Sequence, residues 1–155
     1  MQLSLHSEYA LRVLLYLGAC PDCVVSTEEI STAYGISRNH LVRVIQTLGE
    51  DGCVRVVPGR FGGVSLGKDP GRIRIGDVVR HAEPNFRMAE CFDPQANACV
   101  ITPVCSLKPV LSEALNSFLA ALNRYSLADL LAGGTREKMA RKLVTISGVS
   151  TGAES

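Results

Sequence analysis

A helix-period segment, a glycine turn, a second helix-period segment and a hairpin follow one another between Ser26 and Leu66, and this order leaves few folds open. Ser26-Thr27-Glu28-Glu29 is a capping box. Its hydroxyl and its carboxylate three residues on each satisfy an amide that the helix itself leaves unpaired. The box predicts a short helix carrying Ile30, Ala33 and Tyr34, ended by a left-handed turn at Gly35. Ser37 caps the next helix, where Leu41, Val44, Ile45 and Leu48 recur at i, i+3, i+4 and i+7 before Asp51-Gly52 closes it. Two helices joined through a tight glycine turn make a helix-turn-helix. Val54-Arg55-Val56-Val57 and Val64-Ser65-Leu66 then read as paired strands around the tip Pro58-Gly59-Arg60-Phe61-Gly62-Gly63. The expected fold is mainly α with a small β-hairpin, a winged helix-turn-helix with a long C-terminal dimerisation helix.

The outer face of the second of these helices carries Arg38, Asn39, His40, Arg43 and Gln46, with acids only at its end, Glu50 and Asp51. Arginine can bond guanine bidentately, and asparagine or glutamine can do the same with adenine. A recognition helix reads base edges with residues near its N-terminus. Arg60 at the hairpin tip suits a phosphate contact or insertion into the minor groove. The candidate DNA-binding residues are Ser26, Thr27, Ser37, Arg38, Asn39, His40, Arg43, Arg60 and Gly62. An ordinary solvated helix face is the competing reading, and the hairpin that follows favours duplex DNA. Net charge is +1, so no global cationic field attracts nucleic acid and any basic surface must be local.

Ala10, Val13, Leu14 and Leu17 predict a first helix over roughly residues 7–20, with Glu8 and Arg12 four apart on another face. Ile75, Val78, Val79 and Ala82 mark a fourth helix, ended by Pro84-Asn85. Leu111, Leu115, Phe118, Leu122 and Tyr125 are spaced 4, 3, 4, 3, the period of a coiled-coil seam. Left over from a closed winged domain, such a seam points to a homodimer matched to two half-sites. Ser126-Leu127-Ala128-Asp129 is a second capping box, opening a short final helix. The domain expectation is residues 1–85 for the DNA-binding domain, 86–108 for a metal-binding loop, 109–132 for the dimerisation helix and short final helix, and 133–155 for a flexible tail. No apolar run reaches membrane length and the start lacks a basic region followed by an apolar one, so a cytoplasmic protein without membrane contact is expected.

Cysteine supplies the other constraint. Cys91-Phe-Asp-Pro-Gln-Ala-Asn-Ala-Cys99-Val-Ile-Thr-Pro-Val-Cys105 places three thiols within fifteen residues, with seven and five residues between them. Zinc usually takes a tighter knuckle and a fourth close ligand. A disulfide would leave one thiol over. Nucleophilic catalysis needs a base beside the cysteine, and the three histidines, His6, His40 and His81, stand in no such pattern. An iron–sulfur cluster needs thiolates on a loop, and the residues rank it above zinc. Cys20-Pro-Asp-Cys23 follows a helix, so neither thiol gains a helix N-terminus, and the pair reads as structural. Cys53 reads as core.

Several ordered stretches together resemble a known family: Ser7-Glu8-Tyr9 and Leu11-Arg12, Tyr34-Gly35-Ile36-Ser37-Arg38-Asn39-His40-Leu41, Gly59-Arg60-Phe61-Gly62-Gly63-Val64, Arg74-Ile75-Gly76-Asp77-Val78-Val79-Arg80, Cys91, Cys99 to Cys105-Ser-Leu-Lys-Pro-Val-Leu111, and Tyr125-Ser-Leu-Ala-Asp-Leu130. From Met1 to about Leu131 the chain resembles the NsrR-type winged-helix iron–sulfur repressors, relatives of the IscR and RirA types. The resemblance implies a homodimer on double-stranded operator DNA, not an enzyme. It implies an iron–sulfur cluster that reacts with nitric oxide and so derepresses nitric-oxide detoxification and denitrification genes. It implies Cys91, Cys99 and Cys105 as cluster and metal ligands, and Glu8 of the partner subunit as the fourth. A four-iron cluster (4Fe-4S) is then expected over a two-iron one (2Fe-2S). IscR-type members carry a histidine three residues after the third cysteine, where this chain has Lys108. Phe86-Arg-Met-Ala-Glu-Cys91 is similar to the lead-in of RirA-type iron regulators, which keeps an iron-responsive regulator open as a second reading. A zinc or thiol sensor on the same fold also stays open, as does a small dithiol redox protein using Cys20 and Cys23.

Overall fold

A computed structural model describes residues 2–147, with side-chain surroundings up to residue 143. Helix α1 (Leu5–Ala19) starts two residues before the predicted position because Ser4 caps it, its hydroxyl accepting from the Ser7 amide. Helices α2 (Thr27–Tyr34) and α3 (Arg38–Glu50) form the helix-turn-helix. The Ser26 box is complete: the Glu29 amide donates to Ser26 Oγ and the Ser26 amide to Glu29 Oε2, at 3.1 and 2.8 Å. Gly35, at φ 64°, makes the turn that most side chains would strain. Ser31 Oγ donates to the Ile36 carbonyl at 2.7 Å and fixes the turn's exit. Leu41, Val44, Ile45 and Leu48 all point into the core from α3, as their spacing requires.

Strands β1 (Val54–Val57) and β2 (Gly63–Leu66) pair antiparallel, Val54 opposite Leu66 and Val57 opposite Gly63. Val25, just before α2, exchanges two backbone hydrogen bonds with Val64 of β2, tying the hairpin to the helices. The chain continues through α4 (Ile75–Ala82), α5 (Leu107–Asn123), α6 (Leu127–Leu130) and α7 (Thr135–Ser147). Helices α4 and α5 cross closely at Gly76, where a Cβ would meet the Leu119 carbonyl oxygen at 2.6 Å. Asn123 locks the crossing by accepting from the Asp77 amide and donating to its carboxylate, both at 3.0 Å.

Two expectations change. The stretch from Gly133, read as a flexible tail, forms α7 over Thr135–Ser147, packed against α1 and α2. Met139, Ala140 and Leu143 share one face of it and meet the core, a spacing diluted by charged neighbours in the sequence. Residues 148–155 lie outside the described residues. The hydrophobic core also does not close at residue 85: Leu127, Leu131 and Leu143 join the cluster built by α1, α2, α3, the hairpin and α4. Each such buried leucine contributes about 2–3 kcal/mol of apolar burial. Among the described residues, no helix is long and apolar enough to cross a membrane.

Candidate functional site

The candidate DNA-contacting residues lie at the starts of α2 and α3 and at the hairpin tip. Arg38, Asn39, His40, Arg43 and Gln46 are all exposed, because the four apolar positions of α3 turn inward and leave these outward. Among the described residues, neither the Arg38 nor the Arg43 guanidinium takes part in an ion pair. Ser37 Oγ accepts from the His40 amide, and Ser26 Oγ from that of Glu29, so both hydroxyls retain their proton to donate outward. Thr27, the first residue of α2, is half-buried, as is Gly62 in the tip. Arg60 is exposed at the tip with its guanidinium 5.8 Å from the centre of the Phe61 ring. Phe61 is 89% exposed. Sequence reasoning passed over it, although an aromatic in a six-residue turn between strands has no core within reach.

The thiol loop lies between α4 and α5 and contains two short 3-10 turns, Glu90–Phe92 and Thr102–Val104. Cys91, Cys99 and Cys105 are free and half-buried. The other three cysteines are otherwise engaged. Cys20 and Cys23 are bonded to each other. Cys53 is buried and donates to Asp51 Oδ2 at 3.2 Å; burial and that contact push its thiol up to about 12. Polar side chains fix the loop. Asp93, 9% exposed, pairs with Arg87 at 2.8 Å and accepts from the Gln95 amide at 3.1 Å. Glu90 Oε1 accepts from the Ala98 amide at 2.5 Å, and Asn97 Oδ1 from the Cys99 amide at 3.1 Å. The three thiols thus sit on one preformed loop, although among the described residues no three metal-binding side chains converge on one point. The donor set fits an iron–sulfur cluster in chemistry: three unengaged thiols and no histidine in the loop.

Glu8 is not on the loop but on α1, where it pairs with Arg12. The Arg12 guanidinium lies 5.9 Å from the centres of both the Tyr9 and the Tyr34 rings. Burial raises the Tyr34 hydroxyl's pKa, with the Arg12 charge pulling the other way. Helix α1 also touches the recognition helix and the end of α4. His6 Nε2 and Thr47 Oγ1 of α3 are 3.0 Å apart, and the Tyr9 ring lies 6.1 Å from that of His40. At its start, Glu83 Oε2 accepts from the Ser4 amide, the Ser4 hydroxyl and the Ser7 hydroxyl at 3.1, 3.1 and 2.5 Å. A carboxylate there also complements the positive end of the helix dipole. Glu83 ends α4 and opens the segment that runs to Cys91. Sequence reasoning missed Glu83 and His6: their partners lie 41 to 79 residues away, and no local pattern announces such contacts.

Comparison with known proteins adds an independent line. Residues 3–133 match the model of the family Rrf2, described as iron-dependent transcriptional regulator. The chain is 48% identical over 132 residues to the HTH-type transcriptional regulator NsrR of Bacillus subtilis, covering 84% of this chain and 90% of that one. It is 47% identical over 132 residues to the protein of the same name in Geobacillus kaustophilus, with the same coverage of 84% and 90%. Among solved structures, T. potens IscR is similar with a TM-score of 0.67 at 24% identity, over 84% of this chain and 86% of that one. The oxidised form of Staphylococcus aureus CymR also has a TM-score of 0.67, at 21% identity, over 86% of this chain and 98% of that one. These two likenesses establish the shared fold. The matched family segment ends before α7.

Proposed function

The chain belongs to the Rrf2 family of transcriptional regulators, and from that premise we propose that it is a homodimeric repressor of nitric-oxide detoxification and denitrification genes, switched by nitric oxide through an iron–sulfur cluster. The observation that carries the reading is that a single helix, α1, bears Glu8 and also meets two other elements: His6 and Tyr9 contact the recognition helix, and Ser4 and Ser7 bond Glu83, where the segment that leads to the thiols begins.

Cys91, Cys99 and Cys105 would hold the cluster, with Glu8 of the partner subunit as fourth ligand. Three thiolates and one oxygen suit four irons better than two. When bound, the cluster supplies iron to which nitric oxide can bind. The protein's own part is mechanical. Glu8 pairs with Arg12 on its own helix, and to serve as a ligand across the dimer it would have to give up that partner. Such a change would shift α1, and the His6–Thr47 and Tyr9–His40 contacts would pass the shift to α3. Arg38, Asn39, His40 and Arg43 would read the major groove and Arg60 the wing contact, with Ser26, Thr27, Ser37 and Gly62 placing backbone and hydroxyl donors on phosphate. A bias of a few kcal/mol between the two arrangements of α1 suffices to change occupancy of an operator substantially.

Anaerobically purified protein should be brown, with a Mössbauer spectrum that identifies the cluster, and should release operator DNA on nitric oxide addition. Glu8→Ala should alter the cluster spectrum and blunt the nitric-oxide response; an unchanged spectrum, affinity and response would remove Glu8 from the mechanism. Colourless protein containing zinc would sink the cluster altogether. An iron-responsive role is the second reading, favoured by the lead-in Phe86-Arg-Met-Ala-Glu-Cys91 and by the family's description as iron-dependent. It requires DNA release on iron chelation at concentrations that leave the nitric-oxide response intact.

A further inference from the structure

Of the three cysteines that the function above leaves unused, Cys53 is buried, whereas Cys20 and Cys23 are paired, and their surroundings give that pair a role. Cys20 is the C-cap of α1, and the Cys23 amide donates to the Cys20 carbonyl at 3.1 Å. Their Cα atoms are 5.4 Å apart, within the range a disulfide needs, and the two sulfurs are bonded. Both residues are half-buried, whereas Cys53 is buried. Asp22 and Val24, the residues that flank Cys23, are exposed, while Cys23 itself packs against the core. Two residues beyond Cys23, Val25 exchanges its two hydrogen bonds with Val64 of β2, at 2.9 and 2.8 Å. The next residue, Ser26, caps α2. The sulfur pair therefore sits where α1, α2 and the inner strand of the wing are joined.

We propose that Cys20 and Cys23 form a reversible dithiol–disulfide site, oxidised by low-molecular-weight disulfides such as glutathione disulfide, whose bridged state fastens the wing to the α1–α2 junction. The exchange balances as two displacements. One thiolate attacks the external disulfide, forming a mixed disulfide and releasing one glutathione thiolate. The second thiolate then attacks the first cysteine's sulfur and releases the other glutathione. One S–S bond forms, one breaks, the pair gives up two electrons to glutathione, and its two protons end on the released thiols or in solvent. A bridge between residues this close in sequence closes a short loop and so adds less to global stability than one across a long loop would. Its state also acts locally, on the freedom of the turn and on the Val25–Val64 link beyond it. The consequence for DNA rests on the regulator reading: a wing held in place meets phosphate without a further cost in ordering.

The test uses the full chain in anaerobic glutathione buffers of graded composition, quenched in acid and alkylated. Trypsin releases residues 13–38 as a peptide that contains these two cysteines and no others. In oxidising buffer that peptide should be lighter by two hydrogens and unalkylated, and in reducing buffer doubly alkylated. Amide exchange at Val25 and Val64 should be slower in the bridged form, on the order of tenfold. Cys20→Ser/Cys23→Ser should exchange as the reduced protein does in both buffers. Full alkylation in every buffer, glutathione retained on one thiol, or exchange rates indifferent to the bridge would each overturn the proposal. Neither readout needs DNA. On a mixed-sequence duplex at low salt the bridged form should bind about threefold tighter, and equal binding by both forms would overturn the effect on DNA. Binding by neither form would count against the regulator reading and leave the thiol result standing.

Discussion

Cys53 shows how a single side chain's surroundings set a pH dependence. It is 1% exposed, between the end of α3 and β1, and its thiol pKa is pushed up to about 12 by burial and by the Asp51 carboxylate beside it. Asp51 in turn lies 3.8 Å from Lys68. An unfolded chain releases this proton near the ordinary thiol value of 9.0, and the folded chain keeps it. Between pH 9 and 12 the folded form thus holds a proton that the unfolded form has lost, and stability must fall across that window. Cys53→Ala should flatten the fall without altering behaviour below it, as read from urea midpoints at a series of pH values. A decline as steep as that of the unaltered protein would assign it to other groups. The same residue shows why six cysteines did not mean six ligands: the sequence reads Cys53 as core, and the structure buries it, while the three thiols on the loop are half-buried.

Among the elements, α7 and the wing depart most from or add most to what their sequences suggest. Helix α7 has charged residues at Arg136, Glu137, Lys138, Arg141 and Lys142, which conceal the face made by Met139, Ala140 and Leu143. Leu143→Ala should cost about 2 kcal/mol in unfolding free energy, the lower end for a buried leucine since Leu143 retains 8% exposure. A loss under a few tenths of a kcal/mol would mean that α7 is not docked in solution. The wing, by contrast, is short and glycine-rich at its tip, and its one charged side chain there is Arg60. Arg60→Ala should weaken binding to all duplex sequences alike and make the salt dependence shallower by about one phosphate contact. A loss confined to one base position would give Arg60 a different job.

At the scale of the whole molecule, α5 is incomplete by itself. It spans Leu107–Asn123, yet Leu119 is its one buried residue, packed on α4 at Gly76. The seam residues Leu111, Leu115, Phe118 and Leu122 are half-buried and Tyr125 is exposed. Beside them Val100 and Val104 are 92% and 85% exposed, and Leu107 and Val110 are also open. An apolar strip of this kind, on the thiol loop and α5, is what a second copy of the chain would cover in the proposed dimer. Leu107→Glu/Val110→Glu changes only exposed positions, so the monomer should keep its fold. Light scattering should then show monomers and DNA affinity should collapse with the loss of the second half-site. Dimers of undiminished stability would place the interface elsewhere.

Local chemistry made much of this legible in advance. Capping boxes at Ser26 and Ser126, the glycine turn at Gly35 and the i, i+3, i+4, i+7 face of α3 each act within one or two turns of backbone, so the residues concerned stand side by side in the chain. The winged order follows from such local signals, and the family match accords with it. The sequence by itself determined the helix-turn-helix, the hairpin and the helices up to α6, and which residues of α3 face outward. Only the tertiary structure decided that Ser4 and Ser7 meet Glu83, that His6 meets Thr47, that α7 closes the core, and that the Cys20–Cys23 turn lies at the root of the wing. Those contacts join residues far apart along the chain, and distance along a chain carries no record of distance in space until the apolar faces have packed.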